Sequence, residues 1–102
     1  MKRVKIGKRH YKVTKKRLAK DTFSDCDTKI KEIRITHDVH PRARARKLLH
    51  EIYHGIFAEY LPDVVTDDEE EKIVSGLERG LKDFAINNQA AWLKIAIGLM
   101  KK

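Results

Sequence analysis

The sequence predicts a small α+β protein in which a short mixed β-sheet, made of an N-terminal hairpin and an edge strand, packs on one long helix and on a C-terminal glutamate-bearing helix. Residues 4–13 alternate apolar and polar on both sides of Gly7-Lys8, a pattern typical of a β-hairpin. Apolar residues then recur at helical spacing across 41–60 and again from 73 to 85. Strands followed by helices are the order expected of an α+β fold.

Between the hairpin and the first helix the pattern is less regular. Alternation in 32–36 predicts a strand over Ile33–Ile35, which we expect to be the last of the sheet and to lie at its edge. The basic residues 15–20 indicate a short helical turn. Residues 23–28 are rich in turn formers and predict a loop.

Two helices have clear start signals. The first is predicted from about Pro41 to Tyr60, because proline suits the first helical position and Pro62 ends the pattern. The second begins at Thr66, with Glu69 three residues later in a capping-box arrangement. After an interruption at 87–89, residues 90–100 predict a final apolar helix that packs on the core or forms a contact in a homo-oligomer. With no repeat and no linker, residues 1–102 are expected to form one domain.

Composition limits the class of protein. The chain has 102 residues, of which 41% are hydrophobic and 37% charged, as in ordered globular proteins. No apolar run approaches the roughly 20 residues that span a bilayer, and no apolar stretch follows the basic N-terminus as in a signal peptide. Cys26 is the single cysteine, which excludes an internal disulfide. We therefore expect a cytoplasmic protein with no membrane partner.

Charge is distributed unevenly along the chain. The net charge is +8; the first 47 residues carry 17 Lys and Arg against 5 Asp and Glu, whereas the remainder carries 6 against 10. The simplest interpretation of the basic half is a solvated surface that keeps the protein soluble. The alternatives are weak binding of nucleic acid or of acidic protein segments.

The strongest motif is His50-Glu51-Ile52-Tyr53-His54 on the first predicted helix. Residues four apart share a helix face, so His50 and His54 can bind one zinc ion, with Glu51 placed beside it as a general base. Such a match arises by chance in well under ~1% of chains of this length, on typical residue usage. We therefore predict a zinc site in which Glu51 takes a proton from water activated by the metal.

A catalytic zinc site needs a third protein ligand, and the acidic start of the second helix supplies candidates. Glu70 continues the apolar stripe of that helix and would face inward, whereas Glu71 lies about 100° further round and Glu78 on the flank. Most acids there are expected only to interact with the helix dipole. In the other interpretation, His37 or His40 supplies the third ligand. The alternative for these two histidines is that they are simply exposed in a loop.

Further features are open to two interpretations each. His37, His40, Tyr53 and Tyr60 are candidate donors to the oxyanion that peptide hydrolysis would form, although the tyrosines also suit core packing. The Ile33–Ile35 strand would either offer an edge to an extended peptide or be an ordinary protected edge. Cys26 is expected to be an inert thiol, with reversible blocking of zinc as the alternative.

The His50–His54 motif, followed by Glu70-Glu71-Lys72-Ile73-Val74, resembles the minigluzincins and similar small HExxH proteins of phages and prophages. The resemblance extends to the 4–13 hairpin, to Ser24-Asp25-Cys26-Asp27 and to the strand that follows. It implies zinc bound by His50 and His54, Glu51 as the base, and Glu70 or Glu71 as the third ligand, with Glu71 at least as good a fit. It also implies a minimal gluzincin catalytic domain, either active or latent.

The function predicted from the sequence is hydrolysis of peptide bonds by a zinc-dependent endopeptidase with a peptide or protein substrate. The alternative is a non-enzymatic, zinc-stabilised basic domain that binds nucleic acid or a protein.

Overall fold

A computed structural model of the chain describes residues 2–18, 22–37 and 40–101. Four strands precede three helices, which confirms the predicted α+β class. The elements in chain order are β1 (Arg3–Ile6), β2 (Arg9–Lys15), β3 (Ser24–Asp27), β4 (Glu32–Ile35), α1 (Pro41–Tyr60), α2 (Asp67–Asn87) and α3 (Gln89–Met100).

The four strands form one mixed sheet in the order β1-β2-β4-β3. β2 pairs with β4 in parallel, and the other two pairings are antiparallel. The prediction that the Ile33–Ile35 strand lies at the edge was wrong, because β4 lies between β2 and β3. The hairpin was predicted correctly, with Gly7 in its turn at φ +60°.

β3 is an edge strand where the sequence predicted a loop. Its residues are poor strand formers, but Asp25 lies opposite Arg34 of β4, and the Arg34 side chain donates two hydrogen bonds to its carboxylate at 2.7 and 2.9 Å. Such cross-strand pairs stabilise a sheet in the absence of local propensity. The predicted helical turn at 15–20 was also wrong: β2 continues through Lys15 and residues 16–18 are not helical, while 19 and 20 lie outside the described residues.

The core lies between the sheet and α1, and its fully buried side chains are Tyr11 and Ile33, with Ile6 and Ile35 nearly so. Gly55 lets α1 approach the sheet closely, because a Cβ atom there would lie 2.6 Å from Ile6 Cδ1.

The helices begin and end close to their predicted limits. α1 spans Pro41–Tyr60 as expected, and the capping box of α2 is complete: Glu69 N donates to Thr66 Oγ1 at 3.2 Å and Thr66 N donates to Glu69 Oε1 at 3.0 Å. α2 packs antiparallel on α1. α3 packs on α2 with no buried residue.

Within the described residues, no helix combines the length and the apolar character that crossing a membrane requires.

Candidate metal centre

The middle of α1 brings together the side chains of His50, Glu51 and His54. One ligand atom from each lies within 4.8 Å of the others, and the two imidazole centroids are 5.1 Å apart. This proximity follows from the helix itself, since residues four apart are stacked one turn above each other. The cluster faces the start of α2. The chain reverses direction between α1 and α2, so that α2 runs back along α1.

Glu71 of α2 bridges the two imidazoles. Its Oε1 lies 2.9 Å from His50 Nε2, and its Oε2 lies 2.8 Å from His54 Nε2. Glu70 contacts the other ring nitrogen of His54, with Oε2 2.5 Å from Nδ1. Both glutamates named from the sequence therefore meet the histidine pair, but through different nitrogens.

Glu51 is buried and lies between α1 and β3. It is 4% exposed, and Ser24 Oγ donates a hydrogen bond to its Oε2. Burial raises the pKa of Glu51 above its usual range, and the hydrogen bond from Ser24 and the nearby histidines oppose that rise. A carboxylate whose pKa is raised in this way is a better proton acceptor than a solvated one.

Ser24 is a contact that the sequence did not reveal as part of the site. Its segment was noted as a point of resemblance and was predicted to be a loop, and no chemical role was assigned to Ser24 itself. Because Ser24 and Glu51 are 27 residues apart, no local spacing signals the contact.

A groove runs along the centre, between β3, α1 and the start of α2. Its central cavity has a volume of about 370 Å³ and includes His50, Glu51, His54, Glu70 and Glu71 in its lining. One neighbouring cavity of about 560 Å³ shares His50, and another of about 330 Å³ shares His54. The groove is therefore open on both sides of the histidine pair.

The alternative third ligands lie elsewhere. His40 is the N-cap of α1, where its Nδ1 accepts a hydrogen bond from Arg42 N at 3.2 Å, and about ten residues of helix separate it from His50. His37 follows β4 and does not line the central cavity. Glu78 instead pairs with Arg46, its Oε2 lying 3.5 Å from Arg46 Nη2.

The two tyrosines that were candidate oxyanion donors do not line the central cavity. Tyr60 instead lies against the hairpin turn at Gly7. Cys26 does line the cavity, but burial, followed by the charge of Glu51, raises the pKa of its thiol to about 12. Without a metal ion the thiol is therefore protonated near neutral pH, and because a metal deprotonates a thiol that coordinates it, both interpretations of Cys26 stay predictions.

The donor set suits zinc. Two imidazole nitrogens and one carboxylate are the ligands of many catalytic zinc sites, in which a fourth position stays open. The two Nε2 atoms converge on one carboxylate in a groove that also admits solvent, so His50, His54 and Glu71 are placed to hold one ion together.

No family model, curated protein or solved structure matches this chain. The resemblance to minigluzincins therefore stays a prediction from the motif and its surroundings.

Proposed function

We propose that this protein is a zinc-dependent endopeptidase built as a minimal gluzincin-like domain. The observation that carries the proposal is the Glu71 carboxylate, which meets Nε2 of both His50 and His54 beside the buried Glu51. The His50–His54 motif and the contact with Glu71 are independent observations, because the motif is local to α1 whereas Glu71 comes from α2.

In this proposal, Glu71 is the third zinc ligand and Glu70 orients His54. Ligand histidines usually donate their second ring N–H to a carboxylate, which fixes the ring and its tautomer. Glu70 has that relation to His54 Nδ1. This assignment follows the contacts of the two glutamates. It differs from the argument based on the apolar stripe of α2, which favoured Glu70 because that residue would face inward.

Zinc bound here would supply a Lewis acid that polarises the peptide carbonyl and makes water acidic near pH 7. Glu51 accepts a proton from the attacking water and delivers it to the leaving amine. Ser24 donates a hydrogen bond to one oxygen of Glu51 and so orients this carboxylate, which lines the groove.

The peptide would lie along β3. β3 pairs with β4 on one side and, among the described residues, with no strand on the other. An extended peptide can add to such an edge through main-chain hydrogen bonds. Ser24 and Cys26 of β3 line the groove, so a peptide added to β3 would pass over Glu51.

The proposal is tested by zinc content and hydrolysis of a denatured protein such as casein. Wild type should hold one zinc per chain and cleave; His54→Ala should lose both properties. Glu51→Gln should keep zinc and lose cleavage, which separates the base from the ligands. Zinc-loaded wild type that cleaves nothing would favour the latent form or the non-enzymatic alternative, and absence of zinc after reconstitution would contradict the proposal.

The second candidate is a zinc-stabilised domain that binds nucleic acid weakly through its basic half. Exposed cations on the β1–β2 hairpin favour it, namely Arg3, Lys5, Arg9, Lys12 and Lys15. Affinity for duplex DNA that falls steeply with salt would support this candidate. Changing Arg9 and Lys12 to Gln should then reduce the salt dependence, with zinc content unchanged.

A further inference from the structure

The groove continues beyond His50 into a cavity that we name the basic pocket, defined by Arg46, Lys47 and Arg79. Its volume is about 560 Å³, and it shares the side chains of His50 and Glu51 with the candidate metal centre. A group bound in this pocket would therefore be next to the site proposed for peptide hydrolysis.

Helix geometry explains why cations gather here. Arg46 lies one turn before His50 on α1, and Arg79 lies about two turns after Glu71 on α2. Because α1 and α2 run antiparallel, these two positions meet at the same end of the groove. Arg46 and Lys47 are adjacent in the sequence, whereas tertiary packing brings Arg79 to them.

One of the three cations already has a partner. The Arg46 guanidinium pairs with Glu78, which is 5% exposed, yet Arg46 Nε and Glu78 Oε2 are buried without a hydrogen-bond partner. The buried carboxylate holds the Arg46 guanidinium in the wall of the pocket, although the Arg46 side chain as a whole is 41% exposed. Because its Nε is buried, that atom is closed to a ligand in the pocket, and Lys47 and Arg79 supply the donors that remain.

The other two cations have no carboxylate within 4.0 Å among the residues that the structure describes. Lys47 Nζ lies 5.5 Å from the centre of the Phe23 ring, and Arg79 Nε donates to Ser75 O at 3.3 Å. The cavity at the opposite end of the groove is lined by Asp63, Asp67 and Glu70 together with Lys31. The basic pocket also has carboxylates in its lining, namely Glu51, Glu71 and Glu78, but Glu78 pairs with Arg46 and Glu71 contacts both imidazoles. Lys47 and Arg79 are therefore the cations of the basic pocket that remain for an anion.

We propose that the basic pocket binds a carboxylate group of the peptide substrate, on one side of the bond to be cleaved. This inference rests on the proposed peptidase function and adds a substrate class to it. Guanidinium and ammonium groups bind carboxylates through charge-assisted hydrogen bonds, which are stronger than neutral ones. The carboxylate comes either from an Asp or Glu side chain or from the C-terminus of the peptide.

The test is a binding measurement that needs no catalysis. The zinc-loaded Glu51→Gln chain is titrated by NMR with capped alanine hexapeptides that carry one Glu at each position in turn, beside matched Gln peptides. A second series compares a free C-terminal carboxylate with its amide. The titration is repeated without zinc, because the cations of the pocket belong to the chain itself.

We expect the carboxylate peptide to bind about tenfold more tightly than its uncharged partner in one of the two series, as one charge-assisted hydrogen bond would give. The series that responds identifies the source of the carboxylate. The preference should disappear when Arg79→Gln or Lys47→Gln is added and should persist with Lys82→Gln, a cation one turn further along α2 that does not line the pocket. Arg46 is left unchanged, because its replacement would leave the buried carboxylate of Glu78 without a cationic partner.

Equal binding of charged and uncharged peptides, or no binding of either, would overturn the inference. A preference that survives Arg79→Gln and Lys47→Gln but vanishes in His54→Ala would also overturn it, because the carboxylate would then be on the metal. These outcomes are separate from failure of the proposed function, which appears as missing zinc or as absent hydrolysis in the wild type.

Discussion

Ser24 Oγ of the edge strand donates a hydrogen bond to Glu51 Oε2 of the HExxH helix. This contact joins the proposed base to the strand along which the peptide would lie. It also gives the Glu51 carboxylate, which is only 4% exposed, a hydrogen-bond donor in place of water. A shift of β3 would therefore change the position of Glu51.

Removing this hydroxyl should impair catalysis and not metal binding. We expect Ser24→Ala to lower kcat about tenfold, because Glu51 loses its fixed orientation, with KM within about twofold. Ser24→Thr keeps the hydroxyl and should restore most of the rate. Zinc content is measured in parallel, and an unchanged kcat in Ser24→Ala would show that Ser24 does not orient the base.

The two glutamates of α2 should have unequal effects on zinc. Glu71→Gln should weaken zinc affinity more than about 100-fold, because only two protein ligands remain. Glu70→Gln should weaken it about 10-fold to 100-fold, as expected for loss of a carboxylate that orients a ligand histidine. Dissociation constants are measured by competition with a chromogenic chelator, with Asp68→Asn as the matched control in the same turn. The reverse order of effects would make Glu70 the ligand.

Local signals explain which parts of the fold and site could be predicted from the sequence. Pro41, Pro62 and the apolar stripe define α1, and the Thr66 capping box defines the start of α2. The HExxH motif is equally local, because a separation of four residues on a helix is enough to align its two histidines. Each of these features depends on neighbours within one or two turns.

The parts that the sequence did not predict depend on distant partners. β3 has no strand alternation and is a strand because it pairs with β4, so both the edge of the sheet and Ser24 were missed. The choice between Glu70 and Glu71 depends on how α2 is rotated against α1, which the contacts of the two glutamates with the histidines show and no local sequence signal determines. The basic pocket combines Arg46 of α1 with Arg79, which comes much later in the chain on α2.

Glycines in the two long helices should respond oppositely to alanine. Gly55→Ala places a Cβ atom 2.6 Å from Ile6 Cδ1, and Ile6 is itself buried, so we expect a loss of about 1 kcal/mol after the gain in helix propensity is subtracted. Gly80→Ala meets no atom within 4 Å and should stabilise by roughly 0.5–1 kcal/mol. Urea unfolding of both variants measures these changes.

The cause of the Gly55 effect is tested by a double-mutant cycle. Ile6→Val removes the Cδ1 atom and should cost about 1 kcal/mol when it is made in the wild-type chain. Made in the Gly55→Ala variant, the same change should cost much less, or stabilise, because it relieves the overlap. Additive effects would contradict the close approach of α1 to β1.

A final prediction concerns Tyr11, whose hydroxyl donates to Glu59 Oε2 at 2.6 Å from within the core. That hydrogen bond, and then the one from Lys31, lower the pKa of Glu59. A carboxylate whose folded-state pKa is lowered contributes stability above its unfolded pKa of about 4.3 and loses it as the pH falls through the folded value. We expect Tyr11→Phe to cost about 1 kcal/mol at pH 7. The difference from wild type should shrink below about pH 4. Urea unfolding from about pH 3 to 8 measures this difference in stability, with Tyr60→Phe, at an exposed tyrosine, as the control. A difference independent of pH would mean that the Tyr11 hydroxyl stabilises the fold without involving the charge of Glu59.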